Sequence, residues 1–330
     1  MLPSPAAGGQ PISPSRLETW AACPFRYFLA HVLHVGERDD PEEITQIGAL
    51  ELGSLVHEVL ERFIAEAISR PRGVPAPSQR WTHDDRSRID EIAGEVFERY
   101  EQAGLTGRPL LWRRTKGDVL EDLHAFLDHD DDYRAAQGTR PVRVEMPFGL
   151  GDAPALALTT EGGRTLRFRG YADRVDEAAD GHLVVLDYKT GRDRYAKLGE
   201  DPVLAGTTLQ LGMYAEAAKA ALDAEHVEAR YWMTSADGKF VQRGYSWTDE
   251  RRERFLGVVD TIVEGIESGT FPGQPGPFDS FFGKHDNCRS CDFDRVCPRN
   301  RDDHQQAKAD APELSLLARL ALPDGEDPGA

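Results

Sequence analysis

Nowhere in the chain do apolar residues run unbroken for the roughly 18 positions a membrane-spanning helix needs. No membrane span is therefore expected. The N-terminal stretch MLPSPAAGGQPISPS has neither the charged start nor the apolar middle of a secretory signal, so a cytoplasmic protein is expected. Cysteine is scarce, four in 330 residues, which excludes a disulfide scaffold. There is no G-x-x-x-x-G-K-[ST] phosphate loop, no G-x-S-x-G elbow and no H-E-x-x-H helix. ATP hydrolysis by this chain alone, serine-hydrolase chemistry and zincin chemistry are not expected. Basic residues are outnumbered, 39 against 57 acidic, for a net charge of −18. That balance counts against broad, nonspecific nucleic-acid binding. The acids cluster at Glu37–Glu43, at Asp128–Asp132 and beyond Pro312. Segment 161–197 is near neutral, with Arg164, Arg167, Arg169, Arg174, Arg192, Arg194 and Lys197 among its acids, and would suit a phosphate-bearing substrate.

What is present centres on Arg169–Arg192, which reads as two strands and a turn. The second strand, His182–Lys189, carries the apolar run Leu183, Val184, Val185, Leu186 and ends in Asp187-Tyr188-Lys189. Strand residues two apart share a face, so Asp187 and Lys189 lie side by side. A hairpin return brings Asp173 alongside. Two carboxylates and an ammonium beside a buried run are costly unless something uses them, and a divalent metal is the obvious use. The plainer reading is a solvated strand end with a surface ion pair.

In chain order, residues 1–14 are Pro/Gly/Ser/Ala-rich and expected to be disordered. Ser15-Arg16-Leu17-Glu18 has the capping-box pattern, which predicts a helix start there, and Pro24 should kink or restart the helix. Residues 36–45 read as a charged loop. From Ile47 to Ile68 an apolar stripe predicts a helix, with His57 beside the stripe. Two further helices, at about 85–103 and 110–128, read as a helical insertion spanning about 85–134. Strands are predicted at 141–150, 166–175, 182–189, 227–234 and 240–247, with Asp237-Gly238 as a hairpin turn. Helices are predicted at 208–222 and 249–268. On the first, Gln210 and Tyr214 are four apart and share a face, and Gly212 is a close-packing position. A short amphipathic run, Leu314–Leu322, lies in a polar tail, 301–330.

The cysteines fall one early and three late: Cys23, then Cys288-x2-Cys291-x5-Cys297. Four thiols can hold zinc or an iron–sulfur cluster. Such a site would tie the two ends of the domain together as a fold staple.

Taken together, Gly53-Ser54-Leu55-Val56-His57, Gly170-Tyr171-Ala172-Asp173-Arg174, Asp187-Tyr188-Lys189 and Gln210-Leu211-Gly212-Met213-Tyr214 resemble the motifs of the PD-(D/E)XK nuclease superfamily. More narrowly, the set is similar to the RecB-type exonuclease branch, and the cysteine arrangement to its iron–sulfur subset, which includes AddB-type nuclease domains and the CRISPR adaptation nucleases. The resemblance covers about residues 15–300. It implies an α/β fold with a mixed central sheet flanked by helices. It implies Mg²⁺ or Mn²⁺ held by His57, Asp173, Asp187 and the Tyr188 carbonyl, and Lys189 acting on the attacking water and the phosphate. Gln210 and Tyr214 are implied to support the site or touch DNA. Cys23, Cys288, Cys291 and Cys297 are implied to hold a 4Fe-4S cluster, with zinc as the alternative occupant. Glu145, on the preceding strand, is a further acid, favoured as a supporting residue. The activity implied is a DNA nuclease of repair or recombination, an exonuclease on single-stranded DNA, with single strands or duplex ends as its DNA partner, alongside a helicase subunit. The alternatives are a non-catalytic DNA-binding module of a helicase–nuclease complex and a CRISPR adaptation nuclease. The early helical insertion and long tail count against the last.

Overall fold

The protein is described from a computed structural model, over residues 4–5, 9–36, 44–308 and 310–321. The acidic stretch Glu37–Glu43 and the end of the tail lie outside these residues.

The chain opens with α1 (Pro14–Ala22), α2 (Pro24–Tyr27) and a single wide turn over Phe28–Val32. Three long helices follow: α3 (Ala49–Ser69), α4 (His83–Gln102) and α5 (Pro109–Gln137). Next come β1 (Thr139–Phe148), β2 (Leu156–Thr159), β3 (Thr165–Phe168), β4 (Gly170–Ala178) and β5 (Leu183–Lys189). The chain continues through α6 (Gln210–Leu222), β6 (Val227–Met233), β7 (Gln242–Ser246) and α7 (Asp249–Ser268). After α7 come the two-residue strands β8 (Phe278–Asp279) and β9 (Lys284–His285), then α8 (Arg301–Gln306) and α9 (Ser315–Ala321). Among the described residues no helix is long and apolar enough to cross a membrane.

Strands β1, β4, β5, β6 and β7 form one five-stranded sheet in the order β1-β4-β5-β6-β7. Neighbours are antiparallel except β5 and β6, which run parallel with α6 as the crossover between them. β5 is central and buried on both faces, which is why it reads as a continuous apolar run. Its alternation splits the core into two layers. Leu183 and Val185 face α1, α6 and α7, whereas Val184, Leu186 and Tyr188 face α3, α4 and α5. The fold is thus the mixed α/β sheet flanked by helices that the motifs imply. Helices α4 and α5, read from sequence as an insertion, form one of these covering layers together with α3.

Several expectations need correction. The predicted strand 166–175 breaks at Arg169. Its first half, β3, pairs with β2, a strand missing from the sequence reading, as a separate hairpin. Ile12, inside the stretch expected to be disordered, is buried, and it bonds through its backbone to Arg167 and Arg169 along β3. The unpaired edge of β3 supplies the partners that composition cannot reveal. Helix α1 starts at Pro14 after Ser13, and no capping box forms at Ser15. The tail does not stop being part of the domain at 300: Leu316 and Leu320 of α9 are buried in the core.

Helix α5 outruns its predicted end because its last turns are held by charge rather than by an apolar stripe. The acids of Asp128–Asp132 are not a uniform surface cluster. Asp130 and Asp131 are buried, and Arg134 donates to both, at 2.8 and 2.6 Å. Arg174, fully buried on β4, donates to Asp130 at 2.6 Å and grips Asp176 with two bonds of 2.6 Å. Trp81 adds an indole N–H to Asp130 at 2.7 Å. Buried charges persist only when paired and hydrogen-bonded in this way. Arg174 is therefore not free to meet a phosphate. Arg164 is also engaged, with Asp260 and Glu267.

Candidate active site

The site forms where β4 and β5 part company. Their register runs from Glu177–Leu183 to Arg174–Leu186 and stops there. One step further along the same register, Asp173 stands opposite Asp187. Instead of backbone pairing, the Asp173 carboxylate accepts the Tyr188 N–H at 2.7 Å. On the other side of β4, register places Glu145 of β1 opposite Asp173, between the pairs Val144–Arg174 and Met146–Ala172. Glu145 has a φ of 43°, a left-handed backbone rarely adopted by a residue with a side chain. Three acids thus lie in one row across three strands.

Both helical layers contribute to this row. From α3, His57 Nε2 lies 2.8 Å from the Tyr188 carbonyl oxygen. A carbonyl only accepts, so Nε2 carries the proton. His57 Nδ1 lies 3.3 Å from Asp173. From the opposite layer, Gln210 at the first position of α6 accepts the Lys189 ammonium through Oε1 at 3.0 Å. Lys189 is ion-paired with Asp187 and sits 5.0 Å from the centre of the Tyr231 ring on the parallel neighbour β6. Tyr214, one turn along α6, is buried and meets Phe148 edge-on at 6.0 Å. The structure therefore brings His57, Asp173, Asp187, Tyr188, Lys189 and Gln210 together, with Tyr214 packed behind them. A cleft of about 460 Å³ opens on the His57, Tyr188 and Lys189 side of this group, lined also by Leu50, Gly53, Glu61 and Glu145.

The electrostatics are those of a site short of positive charge. Burial, with Asp187 next, pushes the Asp173 carboxyl well above the ordinary carboxylate range. Burial, with Asp173 and Glu61 next, raises Glu145 to about 7. Burial lowers His57, favouring the neutral imidazole that a metal requires. Burial is the largest single influence on Lys189 and pulls it down, but Asp187, Tyr195 and Asp173 together outweigh it and the net shift is upward. Lys189 is a firmly charged ammonium here.

Two acids escaped the sequence reading. Glu61 follows His57 by one helical turn, so the i, i+4 spacing could have found it. Glu18 stands beside Lys189 and Asp187 in space. It left no local signal, because it belongs to α1, far away in sequence.

The donors fit a hard divalent cation. His57 Nε2 and the Tyr188 oxygen share the Nε2 proton, so both become metal donors only once that hydrogen bond is given up. Carboxylates, a carbonyl and one imidazole suit Mg²⁺ or Mn²⁺. Among the described residues no three His, Cys, Asp or Glu side chains are gathered around one point in metal-ligand geometry. The donors are instead engaged with one another.

At the C-terminal end of α1, Cys23, Cys288, Cys291 and Cys297 all line one cavity of about 500 Å³. All four are free thiols. Burial raises the Cys288 and Cys297 thiols, with Arg301 opposing it and the other cysteines adding to it. Cys23 ends α1, its N–H bonded to Thr19, and its sulfur accepts the Gln274 N–H at 3.4 Å.

A mixed sheet whose central strands separate to present acids beside an Asp-x-Lys strand end defines the class of this protein. Residues 11–298 match the PD-(D/E)XK nuclease superfamily, and the chain belongs to it. Among curated proteins it is similar to a subunit of the ATP-dependent helicase/deoxyribonuclease of Symbiobacterium thermophilum, 33% identical over 211 residues, 61% of this chain and 17% of that one. It is also similar to the subunit of the same name from Desulforamulus reducens, 29% identical over 256 residues, 74% of this chain and 21% of that one. The corresponding Moorella thermoacetica subunit is 31% identical over 224 residues, 64% and 18% of the two chains. The chain thus spans about a fifth of the length of these relatives.

Proposed function

We propose that this chain is a metal-dependent deoxyribonuclease that hydrolyses DNA phosphodiester bonds, acting as an exonuclease on single strands, in repair or recombination beside a helicase subunit. The observation that carries the reading is the convergence of Asp173, Asp187, His57 and the Tyr188 carbonyl on the parted strand ends, with Lys189 charged beside them. Superfamily membership supports the chemistry, and the names of the similar subunits support the helicase setting.

His57, Asp173, Asp187 and the Tyr188 carbonyl would hold Mg²⁺ or Mn²⁺, which when bound supplies Lewis acidity and an acidified water. The chain's own residues do the rest. Lys189, fixed by Asp187 and Gln210, offers a compact positive charge to the non-bridging phosphate oxygens as charge builds on them. Asp173 holds the Tyr188 amide, and so helps to fix the residue whose carbonyl meets His57. Glu145 and Glu61 line the cleft as additional acids.

Cys23, Cys288, Cys291 and Cys297 would hold a 4Fe-4S cluster, with zinc as the other occupant that four thiols allow. Their common cavity supports this. The group would link the end of α1 to segment 288–297 and take no part in cleavage.

The test is digestion of end-labelled linear and closed-circular single-stranded DNA by anaerobically purified protein with Mg²⁺ or Mn²⁺. Release of short products from the linear strand alone supports the exonuclease reading. DNA binding without cleavage under any cation would identify a non-catalytic module instead.

A further inference from the structure

The first N–H groups of an α-helix lack intrahelical partners and need a cap. Two long helices of this protein supply their own: Thr82 caps α4 and Thr248 caps α7. Helix α6 does not. Its N-cap is Leu209, which has no side-chain acceptor. The acceptor comes from α1, near the start of the chain. Glu18 Oε1 takes the Leu209 N–H at 2.6 Å and the Gln210 N–H at 3.2 Å, across a separation of 191 and 192 residues.

This arrangement takes a carboxylate partly out of water, a cost that a local threonine would have avoided. Its placement explains what is gained. Gln210 is the first residue of α6, and its side chain is the one that accepts the Lys189 ammonium. One carboxylate thus fixes the backbone of the residue whose side chain fixes the lysine. Helix α1, which carries Glu18, is itself firmly seated. Trp20 is fully buried, its indole N–H donates to the Thr270 carbonyl at 3.1 Å, and it packs on Gly265 of α7. The fit is close enough that a Cβ at Gly265 would clash with the Trp20 ring. Glu18 therefore projects from a rigid support.

We propose that Glu18 is a positioning residue of the active site, which sets the Lys189 ammonium through the α6 N-terminus and Gln210. The inference deepens the proposed nuclease function and rests on it for its kinetic consequence. Glu18 touches neither substrate nor metal in this scheme.

The test compares the full-length parent with Glu18→Ala, Glu18→Gln and Thr82→Ala. Two readouts are used: steady-state cleavage of single-stranded DNA, and acylation of Lys189 by an amine-selective reagent, followed by mass spectrometry. Glu18→Ala should lower kcat between about tenfold and a hundredfold, the cost of a misplaced group, with KM within about twofold. Lys189 acylation should rise several-fold as its hold loosens. Glu18→Gln keeps an oxygen for both N–H groups and should recover most of both values. Thr82→Ala should lower Tm without changing kcat. Parental kcat in Glu18→Ala, or a glutamine variant no better than alanine, overturns the inference. If the parent itself cleaves nothing, the nuclease reading fails. The acylation pattern then decides the geometric claim alone: unchanged Lys189 reactivity in Glu18→Ala overturns it, and a rise reversed by glutamine supports it.

Discussion

The Asp173 carboxylate accepts the backbone N–H of Tyr188 at 2.7 Å, at the point where β4 and β5 stop pairing. A side chain thus replaces a missing rung of the sheet, and the opened rung exposes the donors of the site. Burial and the facing Asp187 hold the Asp173 carboxyl above its ordinary range. A carboxyl raised in the folded state stabilises it at low pH, and that contribution is lost as pH rises through the folded value. A divalent cation should reverse the loss. Mg²⁺ or Mn²⁺ is expected to raise Tm at pH 8 far more than at pH 5, by the equivalent of about 2.7 kcal/mol at a hundred times Kd. Calorimetry with and without metal checks this, and Asp187→Ala should remove the metal response.

Lys189 and Asp187 form the charged pair beside the parted rung. Lys189→Gln and Asp187→Ala should each lower cleavage by at least about a hundredfold, the usual cost of removing an electrostatic stabiliser. Far-UV circular dichroism should stay parental in both. Cleavage at the parental rate in both variants would refute the site.

The Arg174–Asp130–Arg134 network joins β4 to α5 with no water-exposed member. Breaking such a network by one truncation leaves its partners charged and buried. Asp130→Ala is expected to cost about 3–5 kcal/mol in urea unfolding. Truncation of the exposed Asp132 in its surface pair with Arg80 should cost under about 1 kcal/mol.

Glu18 gives a second pH signature. Burial raises it to about 7, against the lowering effects of the Leu209 and Gln210 N–H bonds and of Lys189, with Asp187 adding a smaller upward push. Parental stability should therefore fall between pH 4.5 and 7 relative to Glu18→Gln, which does not ionise. Above about pH 7.5 the difference should have moved in favour of the glutamine variant by on the order of 3 kcal/mol relative to about pH 4. A flat difference across about pH 4–8 would show that the carboxyl is not buried as described.

The proposed 4Fe-4S occupant of the cysteine cavity predicts a coloured protein. About four iron and four sulfide per chain are expected after anaerobic purification, and stoichiometric zinc in a colourless protein would assign the other occupant. Cys288→Ser or Cys23→Ser should lose the metal and lower Tm, because the tie between α1 and segment 288–297 is cut.

The motif set was readable because its chemistry is local. Asp187 and Lys189 share a face through strand alternation alone, and Gln210 and Tyr214 through helical spacing. The apolar run ahead of Asp187 marked a strand buried on both sides. Other features depended on partners far away in sequence. Helix α5 continues past its apolar stripe because Asp130, Asp131 and Arg134 find Arg174 and Trp81 inside the fold, and charge patterning alone reads such residues as surface. The strand predicted through Arg169 breaks because β3 has β2 and Ile12 to pair with.

The sequence by itself determined the apolar β5 run, the shared faces of Asp187 with Lys189 and of Gln210 with Tyr214, and the motif set whose resemblance implied the mixed α/β class and the donors, since these motifs are made of side chains a few positions apart. Only the tertiary structure decided where β4 and β5 separate, that Glu145 adopts a left-handed backbone in the row of acids, that four cysteines share one cavity, and that Glu18 caps a helix nearly two hundred residues away. These depend on which groups are left unpaired once the layers pack, and an unsatisfied N–H or buried carboxylate is defined by its neighbours in space.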